Sequence, residues 1–105
     1  MNLVSDGRFD ERQQMPTEEI LRVIKGELEA VGAPEDLIEQ LTGRIAFAVT
    51  CLIDGVASVK VEGRELSPNL TFKVGEDQLL FAGGNSWMHE YVFRILPKLF
   101  AQPAP

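Results

Sequence analysis

One cysteine, one histidine, one tryptophan and one tyrosine are all that 105 residues contain of those types. The lone Cys51 excludes an internal disulfide. Its position in the apolar run "IAFAVTCLI" predicts a buried, inert thiol in a reducing, cytoplasmic setting. With a single histidine, a metal site would depend on scattered carboxylates, so neither a metal nor a cofactor is expected. Long hydrophobic stretches are also missing. The apolar run Ile45 to Ile53 has nine residues, far short of the roughly 20 needed to span a bilayer. The N-terminus "MNLVSDGRFDERQQ" lacks the basic-then-apolar order of a secretory signal. No membrane association is expected.

Positive charge is scarce where it would matter for nucleic acid. The formal net charge is -6, and residues 1 to 55 hold eleven acids against five bases, while residues 56 to 105 hold five of each. An acidic half-chain repels a phosphate backbone, so nucleic acid is excluded as a partner. Such a surface serves solubility or meets a protein partner with a basic surface.

The length and the 45% hydrophobic composition fit one α+β domain spanning residues 16 to 100, with a flexible N-terminal arm at 1 to 15 and a flexible tail at 101 to 105. "PTEEILRVIKGELEAVG" predicts the first helix. Thr17 is its N-cap, Glu18 and Glu19 lie in its first turn, an apolar stripe runs through Ile20, Leu21, Ile24, Leu28 and Val31, and Gly32 stops it. A second helix opens at Pro34 and continues to Asp54, with Gly55 as terminator. An alternative ends that helix at Gly43 and makes residues 44 to 53 a strand that turns at Asp54-Gly55. That register sets Val49 against Lys60 and Phe47 against Glu62, which favours the long helix. Residues 45 to 53 are then apolar nearly all round, the mark of a helix surrounded by protein.

After Gly55 the hydrophobic period changes from 3.6 to 2. "VASVKVEG", "NLTFKVGEDQ" and "LLFAGG" predict a three-strand antiparallel meander. Ala57, Val59, Val61, Leu70, Phe72, Val74, Leu79 and Phe81 form its buried face, and a C-terminal helix packs on that one side.

The last helix follows "GGNSWMHEY". Gly83 and Gly84 free the backbone to turn, and Asn85 or Ser86 is a suitable N-cap. One use of this start is ligand or anion binding by Gly84, Asn85, Ser86 and His89. The first base after Ser86 is Arg94, eight residues on, and no P-loop or dinucleotide fingerprint is present. Glu90, adjacent to His89 on a helix, points about 100° away and cannot orient its ring. No independent nucleophile is evident either, so an enzyme is not the favoured reading. Trp87 and Tyr91 are expected to stack at i and i+4, while Pro97 is expected to kink or end the helix.

The order helix, three strands, helix from residue 34 resembles that of double-stranded-RNA-binding domains. Those domains carry a basic cluster where this chain has "NSWMHEY", which rules out that function here. What stands out instead is surplus apolar surface on the second and third helices. Each large side chain left in water forgoes about 1.5 to 3 kcal/mol. The surplus predicts a homodimer or other protein-interaction module, of a small acidic adaptor, inhibitor, immunity or chaperone-like kind. Its contact surface is expected at Trp87, Tyr91, Phe93 and Phe47.

Overall fold

In the computed structural model, which describes residues 2 to 101, the elements are β1 (Asn2–Val4), α1 (Arg8–Arg12), α2 (Gln14–Ala30), α3 (Glu35–Ile53), β2 (Val59–Val61), β3 (Arg64–Leu66), β4 (Phe72–Gly75), β5 (Gln78–Leu80) and α4 (Met88–Phe100). The class is mixed α+β. Its strand count and arrangement depart from the two-helix, three-strand-meander, one-helix order read from the sequence. Apart from Ala101, the expected C-terminal tail lies outside the described residues.

Residues 1 to 15, expected as a flexible arm, contribute β1 and α1. The physical reason is a buried face that the polar composition conceals. Phe9, Gln13, Thr17 and Leu21 fall at four-residue steps and are all buried, so one stripe continues from α1 into α2. The Phe9 ring packs on Phe72, centroids 5.2 Å apart. Asp6 accepts the Arg8 backbone N–H at 2.9 Å and its guanidinium at 2.8 Å, which starts α1. That bonding holds the Asp6 carboxyl below the usual carboxylate range. Thr17 is therefore not the N-cap of the first long helix. It lies inside α2, its hydroxyl donating to the Gln13 carbonyl at 2.7 Å.

The two long helices end alike. Ala33 N–H reaches the Leu28 carbonyl at 3.0 Å and Gly32 N–H that of Glu29 at 3.1 Å; Val56 and Gly55 do the same to Cys51 and Leu52 at 3.0 and 3.3 Å. These paired bonds need a left-handed residue after the cap. Gly55, at φ 75°, supplies it for α3. Between its ends α3 is an uninterrupted helix, and Gly43 lies inside it. A Cβ there would come within 2.7 Å of Leu96 and 3.1 Å of Phe93, so the missing side chain lets α3 and α4 approach closely.

The expected meander is two separate pieces. Glu62 and Gly63 both take positive φ, 51° and 78°, and this tight turn returns the chain as a detached β2–β3 hairpin. The main sheet has the order β1-β5-β4, with β5 antiparallel to β4 and parallel to β1. A register shift between Lys73 and Gly75 sets Phe72 opposite Leu80 and Lys73 opposite Leu79. Leu80 is therefore the fully buried residue of β5, in place of the expected Leu79 and Phe81 pair, which are half-buried.

Leu21 of α2, Ala46 of α3, and Val92, Ile95 and Leu96 of α4 form the helical core. Pro97 does not end α4, which runs on to Phe100. Phe93 and Pro97 are both exposed, so the carbonyl that Pro97 leaves without a donor is on the wet side. The molecule is flat, 45 × 39 × 21 Å, with a Cα radius of gyration of 15.7 Å. A compact chain of this length is expected near 13 Å.

Candidate functional site

Two features meet where α3 gives way to α4. The first is a buried polar hub centred on Asp54, the residue that caps the C-terminus of α3 and is wholly inaccessible to solvent. One carboxylate oxygen accepts the Ser86 hydroxyl at 2.5 Å. The other accepts the His89 backbone N–H at 2.7 Å and its Nδ1–H at 2.6 Å. An ionised carboxylate only accepts, so the His89 proton at this contact resides on Nδ1 and leaves Nε2 as the second ring nitrogen. Next to the hub, the buried Gln13 accepts the Trp87 N–H at 2.8 Å.

These contacts explain how α4 begins. Trp87 stands at the N-cap with φ −127° and ψ 31°, and no local side chain caps the helix. Asp54 and Gln13, distant in sequence, take up the free amides. A negative carboxylate at the N-terminus of α4 also suits that helix's dipole. The expected N-cap role of Asn85 or Ser86 is thus replaced. Asn85 is exposed and lies over Gly55, while Ser86 is buried as a donor to Asp54. Gly84 is exposed.

At this helix start the Trp87 and His89 amides are engaged by Gln13 and by Asp54, whose buried carboxylate lies beneath Ser86 and His89. In a serine-histidine-carboxylate relay the imidazole stands between hydroxyl and carboxylate. Here the Ser86 hydroxyl and the imidazole both bond to the carboxylate and not to each other. The hub ties the end of α3 to the start of α4. Among the described residues no group of three metal-ligating side chains converges, and no helix is long and apolar enough to cross a membrane.

The second feature is the surface of α3. Its buried face consists of Ile38, Thr42, Gly43, Ala46, Thr50 and Cys51, mostly small or polar. The Thr42 hydroxyl is buried without a hydrogen-bond partner, and Thr50 returns its own to the Ala46 carbonyl at 2.8 Å. The larger apolar residues lie along its two flanks and its ends: Leu37, Ile45, Phe47, Val49 and Leu52 are 38 to 42% exposed, Ile45 and Val49 beside α2 and Phe47 beside Phe93 of α4. Apolar surface therefore remains half exposed on either side of the small, buried face. Between Leu41 and Ile53 the outward side carries a single charge, Arg44.

Of the expected contact residues, three gather along one flank of this face. Phe47 lies 5.5 Å from Phe93 and 5.9 Å from His89, and His89 lies 5.9 Å from Trp87, centroid to centroid. Trp87 and Phe93 are both about half exposed, at 51% and 53%. Tyr91 is separate. Trp87 is not helical, so the expected i, i+4 stack does not form; Tyr91 packs against the core with Arg94 over its ring at 5.3 Å. On the opposite flank, Ile20, Val23, Ile24, Ile45 and Val49, with Pro16 and the acid Glu19, line a groove of about 420 Å³ between α2 and α3.

No family model, curated protein or solved structure matches the chain. Sequence reasoning missed Asp54 and Gln13. Asp54 had a signal, as the only acid between Glu39 and Glu62; Gln13 had none.

Proposed function

We propose that the protein is a non-catalytic protein-interaction module whose docking face is the outward side of α3, flanked by Phe47, Phe93 and Trp87. The observation that carries this reading is the half-exposed apolar surface of α3. With Thr42, Gly43, Ala46 and Thr50 turned inward, Ile45, Phe47, Val49 and Leu52 each keep 38 to 42% of their surface exposed, so apolar area remains uncovered in the isolated chain. Aromatic residues at the border of such a face suit an interface centre. The acidic α2 and the first turn of α3 keep the remaining surface soluble. This combination fits a small acidic adaptor, inhibitor or chaperone-like role, and the occupied amides at the start of α4 favour it over a ligand-binding enzyme.

Ala48, exposed on the outward side of α3, provides the test. Ala48→Glu is expected to leave unfolding stability within about 0.5 kcal/mol, since an exposed site away from the core tolerates charge. It should also abolish whichever property the wild type displays, association in sedimentation velocity or binding of a hydrophobic dye. Unchanged association and dye binding, or a large loss of stability, would contradict the reading.

A further inference from the structure

The aromatic flank between α3 and α4 holds one polar atom that the fold itself does not use. His89 directs its backbone N–H and its Nδ1–H to Asp54, while its Nε2 bonds to none of the described residues. Among those residues the one buried side-chain polar atom without a partner is the Thr42 hydroxyl. Nε2 is therefore within reach of water, on a side chain that is 12% exposed.

The hub decides what that atom can do. Because the carboxylate holds the ring proton on Nδ1, the neutral imidazole has a lone pair at Nε2 and only accepts there. The contacts of ring and amide to one Asp54 oxygen, at 2.6 and 2.7 Å, also fix the direction of the ring, as a carboxylate does for a working imidazole. Two aromatic rings adjoin it. Phe47 meets it edge-on at 5.9 Å and 74°, and Trp87 lies 5.9 Å away, tilted by 34°. Trp87 is half exposed.

A group that covers these rings but brings no hydrogen strips water from Nε2 and leaves the acceptor unpaired, which costs free energy. That disfavours aliphatic and phenyl side chains. A carboxylate has no hydrogen to give and meets the negative charge of Asp54. Serine supplies the hydrogen yet leaves the rings wet. An ammonium or guanidinium brings three or five hydrogens to a single acceptor. Tyrosine matches both parts, an apolar ring for Phe47 and Trp87 and one hydroxyl for Nε2.

We infer that the docking partner seats a tyrosine on this flank, its ring beside Phe47 and Trp87 and its hydroxyl donating to His89 Nε2. The inference rests on the interaction-module reading above and adds the chemistry of the partner's anchor. p-Cresol, which is the tyrosine side chain, is compared with toluene and with methylguanidinium, each titrated into the full chain at about pH 8, above the ordinary imidazole range. The single histidine and single tryptophan give one imidazole and one indole to follow by nitrogen NMR. p-Cresol should shift Nε2 more than Nδ1, whereas toluene should shift the Trp87 indole and leave Nε2 in place. In His89→Phe, which keeps a ring and removes the acceptor, the affinity for p-cresol relative to toluene should fall about five-fold, the equivalent of one hydrogen bond. Should that variant fail to fold, the wild-type nitrogen shifts decide alone. An Nε2 that p-cresol does not move, or that carries a proton at this pH, would overturn the anchor while leaving the docking face to its own Ala48→Glu test. Tighter binding of methylguanidinium than of p-cresol would overturn it in favour of a cationic partner group.

Discussion

Asp54→Ala is expected to destabilise the protein by about 3 to 5 kcal/mol, measured by urea denaturation, because it strips the acceptor from three buried or half-buried donors at once. The Ser86 hydroxyl, the His89 amide and the His89 ring all direct their hydrogens at this one carboxylate, at 2.5, 2.7 and 2.6 Å. No water reaches the fully buried side chain to replace it. The loss is also electrostatic, since the start of α4 forfeits the negative charge that complements its dipole. Asp54→Asn, which keeps one carbonyl acceptor but not the charge, should fall between wild type and alanine. Ser86→Ala should cost less than either, because the carboxylate keeps two of its three donors. An Asp54→Ala cost below about 1 kcal/mol, the worth of one ordinary hydrogen bond, would mean that the hub does not join α3 to α4.

The second large effect concerns the N-terminal segment. Phe9→Ala should cost about 3 to 5 kcal/mol, in the range for removing a buried aromatic ring. Phe9 is 1% exposed and stacks against Phe72 of β4, so its truncation opens a void between α1 and the sheet. Phe47, 38% exposed on the flank of α3, is the control: Phe47→Ala should leave the stability of the isolated chain far less affected. Equal costs at the two positions in denaturation followed at low protein concentration would contradict the assignment of inside and outside. A negligible cost at Phe9 would return residues 1 to 15 to the status of an unattached arm.

Much of the helical architecture was readable from residue order. The stripe from Ile20 to Val31, the stop at Gly32 and the continuous helix from Pro34 to Asp54 follow from spacing and from glycine's tolerance of positive φ. Which side of α3 is buried was not readable, for a physical reason. Residues 45 to 53 are apolar on every side, so the sequence has no polar face to mark which side meets water. The same apparent surplus pointed to association, but only the coordinates separate Ala46 and Thr50, which are inside, from Ile45, Val49 and Leu52, which are not. In the N-terminal segment the stripe Phe9, Gln13, Thr17, Leu21 is half polar, and a hydrophobic period cannot be seen in it. The hub was hidden differently. Asp54 next to Gly55 has the composition of a turn, and the two residues that donate its three hydrogen bonds lie 32 and 35 residues away. The split meander turned on Glu62 taking a left-handed conformation that its type rarely adopts.

The interaction-module reading is tested most directly by sedimentation equilibrium of the unmodified protein over a wide dilution series, with binding of a hydrophobic dye followed on the same samples. The predicted result is a mass above that of one chain, or a single chain whose dye binding Ala48→Glu removes. A single-chain mass at every concentration together with no such dye binding would contradict it.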